Sequence, residues 1–233
     1  MSIVIPVYNE EPILHAALVD LRARLAPLAW DYEVILAENG SRDGTLAVAA
    51  ELAESYPELR TISIDEPNYG KALRAGIGEA RGEIVICEEI DLCDVAFHKA
   101  AIAILDAGLA DFVIGSKMLA SSRDQRPLYR RAATRFYNAL LRTALGFRGT
   151  DTHGLKAFRR SVVAPIADEC LVDKDVFASE LVIRAYRAGI TVCEIPVRVM
   201  EKRPPSIHLW KRVPAVVKQV TKLTWSVRLS RKL

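Results

Sequence analysis

Four carboxylates crowd the end of one apolar run. In the stretch GEIVICEEIDLCD, residues 82–94, Ile84-Val85-Ile86-Cys87 leads straight into Glu88, Glu89, Asp91 and Asp94. Acids at the end of a buried strand are costly unless they bind something. An edge lined with carboxylates offers oxygens to a hard divalent cation such as Mg²⁺ or Mn²⁺. Glu88 projects to the other face, and Asp94, ahead of a helical period, reads as a helix cap. The pattern recurs: Tyr8, Asn9 and Glu10 follow the first apolar run, Glu38 and Asn39 the second, and Asp65, Glu66 and Asn68 the third. In open α/β sheets ligands bind outside the carboxyl ends of the strands, so the four clusters share one ligand edge. PVYNEEP stands where a dinucleotide fold would carry G-x-G-x-x-G, and there is no Walker-type loop. A nucleotide diphosphate at this acidic edge therefore needs a cation to neutralise it.

The elements that must position these residues are short apolar runs at Ile3–Val7, Tyr32–Ala37, Arg60–Ile64, Ile84–Cys87 and Phe112–Ile114. They alternate with segments of helical period at Ile13–Leu25, Leu46–Leu52, Ala72–Ala80 and Ala96–Leu105. That alternation predicts successive βαβ units and a mainly parallel central sheet flanked by helices. Beyond residue 116 come an Arg-rich loop at Ser121–Arg126, a helix opening at Pro127, the segment DTHGLKAFRR, a helix near Val176–Arg187 and a strand near Thr191–Val199.

With 233 residues, 51% of them apolar, and a net charge of +3, the chain is expected to fold as one large α/β domain. The charge is unevenly placed: after Glu201 there are nine Lys or Arg and no acid. Cys87, Cys93, Cys170 and Cys193 form no Cys-x-x-Cys, which points to reduced thiols rather than a zinc cluster. No run approaches the roughly 20 apolar residues of a membrane span, and MSIVIPVYNE does not look like a signal peptide. The expected location is cytoplasmic, with peripheral attachment to the membrane face. Nothing indicates a nucleic-acid partner, and the oligomeric state is left open.

SIVIPVYNEE, VILAENGSRDGT, PNYGKALRAGIGEARGEIVICEEIDLCD and DTHGLKAFRR resemble, in order and spacing, the successive blocks of family 2 glycosyltransferases with the GT-A (Rossmann-like) fold, over roughly residues 2–200. The resemblance is greatest to the polyprenyl-phosphate (dolichyl-phosphate) mannosyl- and glucosyltransferases. It implies an inverting hexosyltransferase that moves a sugar from a GDP- or UDP-sugar donor to an acceptor, here a polyprenyl phosphate. Two alternatives remain: a soluble glycosyltransferase acting on a saccharide or small-molecule hydroxyl, and a nucleotide-sugar-binding regulatory protein without turnover.

Carried over residue by residue, the resemblance places Glu89 and Asp91 on the family's metal-binding Asp-x-Asp, with Glu89 longer than the usual Asp. It places Pro6, Tyr8, Glu10, Glu38, Asn68, Gly70 and Lys71 on donor-binding positions, with Gly70 letting the donor approach closely. A carboxylate at Glu38 accepts N–H bonds from uracil or guanine alike, which leaves the base open. Lys117 and Arg131 are expected to meet an anionic acceptor and, with Asp91, to form the catalytic set. His153 has three readings: metal ligand, sugar contact or loop hydrogen bonding. Asp151 and Glu180 are the candidate bases should the acceptor be a hydroxyl. A surface salt bridge to Arg184 is the other reading of Glu180.

The chain divides on this reading into a glycosyltransferase domain, 1–200, and a basic amphipathic extension, 201–233. In the extension Val216, Val217, Val220, Leu223 and Val227 follow helical spacing, with Trp210 and Trp225 nearby. The expected contact is an anionic membrane surface. The alternative is that Val216, Val220 and Leu223 pack on the enzyme's own body.

Overall fold

The computed structural model describes residues 1–119, 121–124, 128–199, 218, 220–225 and 227. The strands are β1 (Ser2–Val7), β2 (Glu33–Asn39), β3 (Leu59–Ile64), β4 (Ile84–Cys87), β5 (Phe112–Ser116), β6 (Arg123–Asp124), β7 (Lys156–Arg159), β8 (Val192–Pro196) and β9 (Arg198–Val199). The helices are α1 (Glu11–Leu25), α2 (Thr45–Ser55), α3 (Tyr69–Glu79), α4 (Val95–Asp106), α5 (Leu128–Leu145), α6 (Arg160–Glu169) and α7 (Phe177–Arg187), with 3₁₀ turns at Ala26–Leu28 and Lys174–Val176.

The apolar runs become strands because both faces are covered. Val4, Ile35, Val85 and Phe112 face one core with α3, α6 and α7. Ile3, Ile5, Val34 and Leu36 face another with α1 and α2, and Ile86, Val113 and Ala157 a third beside α4. Continuous β-branched runs are what a doubly covered parallel sheet requires. The order is β3-β2-β1-β4-β7-β5-β8. β7 is antiparallel to both β4 and β5, while the β1–β2, β1–β4, β2–β3 and β5–β8 pairs are parallel. The ends of β1, β2, β3, β4, β5 and β8 and the start of β7 therefore lie on one edge. The expected GT-A sheet is present, and the segment DTHGLKAFRR supplies its antiparallel strand.

In the tail, Val220, Leu223 and Val227 are buried in the same core as Phe112 and Phe158. The Arg187 guanidinium donates to the Val227 carbonyl at 2.7 Å. The stripe expected to face lipid is, at these three positions, packed on the enzyme's own body. Lys218, Lys222 and Trp225 remain exposed. Trp210, Val216 and Val217 lie outside the described residues.

Candidate functional site

The four acids after β4 divide by the turn they occupy. The Glu89 carbonyl accepts the N–H groups of Leu92 and Cys93 at 2.9 and 3.1 Å, which closes a single turn. Ile90 is buried against the α1 core and pins it, so its neighbours turn outward: Glu89 is exposed and Asp91 half-buried. Asp94 caps α4 as expected, accepting from the N–H groups of Ala96 and Phe97 at 3.0 and 3.2 Å. Glu88 points inward, where it accepts the Asp94 N–H at 2.7 Å and lies 3.4 Å from His98 Nε2. Burial pushes the Glu88 carboxyl up, against the pull of His98.

The surrounding loops hem the exposed Glu89 carboxyl, and that desolvation raises it; Lys117 opposes the rise and Asp91 adds to it. Two carboxylates that repel one another at a solvent edge are a donor set that a divalent cation would relieve. Among the described residues, no three His, Cys, Asp or Glu side chains form a group able to hold a metal by themselves. His153 thus does not complete a protein-only triad with Glu89 and Asp91. Its backbone N–H donates to Asp151 at 2.9 Å, Nδ1 lies 3.1 Å from Thr152 Oγ1, and its ring stands edge-on to Tyr137 at 5.3 Å.

Lys117, just past β5, lies 3.5 Å from the buried Asp151 carboxylate and also directs its N–H at it, at 3.3 Å. Burial would raise Asp151; the Lys117 charge and the His153 N–H outweigh it and hold the carboxyl below its usual range. A network holds this loop in place. Thr150 N–H and Oγ1 donate to Glu194 on β8 at 2.7 and 2.5 Å, and Asn138 on α5 donates to the Thr150 carbonyl at 2.6 Å. Arg131, in the first turns of α5, is half-buried.

Lys156 opens β7 opposite Cys87 and Ile114. It is buried, its Nζ donating to the Gly154 carbonyl at 2.7 Å. Burial lowers its pKa, while the Asp151 and Glu89 carboxylates hold the charge on it. Cys87 itself is a core thiol pushed up to about 12 by burial. Sequence reasoning missed Lys156. Its signal was the alternation in Leu155-Lys156-Ala157-Phe158, which puts a lysine on the same buried face as Phe158.

The donor-side positions share the edge but are largely engaged with one another. Glu38 is buried and accepts from the Ser63 hydroxyl at 2.5 Å and from the Ser41 N–H. Burial would raise it, and these bonds hold it low instead. Asn39 accepts the Asn68 N–H. Asn68 caps α3, its Oδ1 accepting from Lys71 at 3.1 Å and Lys174 at 2.9 Å. The close approach Gly70 allows is made by the chain: a Cβ there would stand 2.7 Å from both Lys174 N and Phe177 Cβ. Lys71 pairs with Glu66 on the exposed rim. Tyr8 is exposed, Pro6 and Glu10 are half-buried, and the Glu10 N–H donates to Thr45 Oγ1 at 2.8 Å.

Glu180 corrects both readings made of it. It is fully buried, its Oε2 accepting from Leu171 and Val172 N–H at 2.9 and 2.7 Å and its Oε1 from Arg184 at 2.8 Å. It is neither a surface bridge nor a poised base.

The Glycosyl transferase family 2 model matches residues 2–166. Among curated proteins, Glycosyltransferase AglD of Haloferax volcanii is 29% identical over 232 residues, covering 97% of this chain and 37% of that protein. An undecaprenyl-phosphate 4-deoxy-4-formamido-L-arabinose transferase of Pseudomonas fluorescens is 31% identical over 169 residues, 70% of this chain and 48% of that protein. The chain thus spans less than half the length of both. A crystal structure of glucosyl-3-phosphoglycerate synthase from Mycobacterium tuberculosis with UDP aligns over 97% of this chain and 79% of that one, with TM-score 0.67 and 21% identity. The same enzyme is also known with Mn²⁺, UDP-glucose and phosphoglyceric acid.

Proposed function

This chain belongs to glycosyl transferase family 2, and from that membership we propose that it transfers a sugar, with inversion, from a nucleoside-diphosphate donor to a polyprenyl phosphate. The observation that carries the acceptor is the state of the two candidate bases. Asp151 is held low beside Lys117 and Glu180 is fully engaged, so neither suits the deprotonation of a hydroxyl. A phosphate monoester, with a second pKa near ~6, arrives largely ionised and needs no base. The name of the Pseudomonas relative supports the same acceptor class.

In the transfer, an acceptor phosphate oxygen bonds to the sugar's anomeric carbon as the bond from that carbon to the donor's β-phosphate oxygen breaks. The nucleoside diphosphate departs. Asp91 and Glu89 would hold Mg²⁺ or Mn²⁺, which would offset the charge of the diphosphate. Lys117 and Arg131 orient the acceptor phosphate, and His153 lines the same side. Lys156 adds a second fixed cation beneath Glu89 and Asp151. The nucleoside lies along Pro6, Tyr8, Glu10 and Glu38, with Asn68 and Gly70 shaping the wall and Lys71 at the rim. Residues 1–200 carry the transfer, and Val220, Leu223 and Val227 of the extension pack on the body.

The test is a screen of UDP- and GDP-sugars with Mn²⁺ and a polyprenyl phosphate, with products partitioned between organic solvent and water and identified by mass. A glycosylated lipid in the organic phase is expected, absent in Asp91→Asn. Product formed only from a water-soluble saccharide, or metal-dependent donor binding without turnover, would overturn the assignment in favour of the respective alternative.

A further inference from the structure

We propose that the outward face of α5 seats on an anionic lipid bilayer. Leu128, Tyr129 and Phe136 are 77%, 53% and 69% exposed, and with the exposed Ala132 and Ala139 they form one stripe at helical spacing. Arg135 and Arg142, also exposed, line one border of it. α5, LYRRAATRFYNALLRTAL, holds four arginines and no acid.

The stripe is not left over from poor packing, because the inner face of α5 is fully used. Leu141 and Leu145 are buried in the main core, Asn138 holds the Thr150 carbonyl at 2.6 Å, and the Tyr137 hydroxyl lies 3.0 Å from Ser179 Oγ. A contiguous exposed apolar face edged by cations marks an interaction surface. Charge selects the occupant. A two-fold pairing of α5 on α5 would set arginines against arginines, with no acid in the helix to offset them. Anionic headgroups supply the missing counter-charge, acyl chains take Leu128 and Phe136, and Tyr129 suits the headgroup level.

The tail is the weaker candidate for this contact, since Val220, Leu223 and Val227 are already buried. α5 also touches the site, Tyr137 bearing on His153 at 5.3 Å. Docking would therefore set the open edge of the site beside the lipid plane. The inference stands on the surface of α5 and does not require the acceptor to be a lipid phosphate.

The test is flotation of the intact chain with vesicles of phosphatidylcholine alone or mixed with phosphatidylglycerol. Binding is expected on the mixed vesicles only, weakening severalfold between about 50 and about 300 mM NaCl. It should fall at least about tenfold in Leu128→Glu/Phe136→Glu and also in Arg135→Glu, with melting temperature and donor binding unchanged. No wild-type binding at low salt, or binding equal in these variants, would overturn the proposal. So would light scattering that shows a wild-type dimer turned to monomer by Leu128→Glu/Phe136→Glu. Should the double variant fail to fold, Arg135→Glu alone decides.

Discussion

Gly154→Ala tests what brings the two halves of the site together. The chain entering β7 passes β5 so closely at this point that a methyl on Gly154 would overlap the Gly115 carbonyl oxygen and stand 2.8 Å from its carbon. The obstacle is backbone, so no rotamer change relieves it, and the two strands would have to part by roughly an ångström in a close-packed sheet. Overpacking of this kind costs about 1–3 kcal/mol. The parting also stretches the hydrogen bond from the Gly115 N–H to the Leu155 carbonyl, 2.8 Å long, worth about 1 kcal/mol. The expected loss is about 2–4 kcal/mol. With a urea m-value of roughly 3 kcal/mol per M, the midpoint should fall by roughly 1 M at unchanged m. Because Lys117 and Asp151 meet across this same junction, acceptor use should fall further than donor binding in whatever fraction stays folded. A midpoint shift under about 0.3 M would refute the claim that backbone contact at Gly154 sets the site's geometry.

Asp91→Asn should abolish Mn²⁺-dependent donor binding in calorimetry, since a charge is lost from an all-oxygen donor set; unchanged affinity would remove Asp91 from the metal site. Glu89→Asp should be tolerated or raise turnover, and complete loss would show that the longer arm is required. Lys117→Met should cost up to about 3 kcal/mol by leaving the buried Asp151 carboxylate without that charge beside the Lys117 and His153 N–H groups, and adding Asp151→Asn should restore part of that loss; additive losses in the double-mutant cycle would deny the coupling. Glu33 accepts from Ser2 Oγ at 2.6 Å, Arg81 N–H at 2.7 Å and Arg60 Nε at 2.9 Å. Burial would raise its pKa, but these bonds hold it below 4.5. A lowered folded pKa stabilises the protein above the unfolded value and loses that stabilisation as pH falls from about 4.5 through the folded one. Glu33→Gln should therefore be less stable than wild type by about 1–3 kcal/mol at pH 7, with a gap that narrows below pH about 4 in urea melts. A constant gap would mean the charge contributes nothing.

The parallel half of the sheet was legible because β1, β2 and β4 are largely buried on both faces and read as apolar runs. Ile84–Cys87 has the same bounds in sequence and structure. β7 was not read as a strand: Lys156–Arg159 carries a charge at each end, and only its place between β4 and β5 makes it one. With β7 went Lys156, since no local pattern says that a lysine is buried. Spacing misled at Glu180, because an i,i+4 partner such as Arg184 says nothing of depth, and the N–H groups of Leu171 and Val172 that occupy its carboxylate come from a separate loop. At Gly70 the missing side chain was read correctly as a close approach, but what approaches is the Lys174 backbone, 104 positions away in the chain.

The four acids after β4 show the same limit and its remedy. Residue type alone makes them equivalent oxygen donors, and only the turn separates them. Asp94 is consumed by the first N–H groups of α4, and Glu88 by the Asp94 N–H and His98. Glu89 and Asp91 remain at the solvent edge because Ile90 between them is held in the core. Since the Glu89 carbonyl is fixed by two N–H bonds, its extra methylene cannot be absorbed by the backbone. It carries the carboxylate outward by about 1.5 Å. A site with one short and one long acid and no third His, Cys, Asp or Glu grouped with them among the described residues would leave much of a cation's coordination to other oxygens, and in the proposed reaction the donor's diphosphate is the group that would supply them.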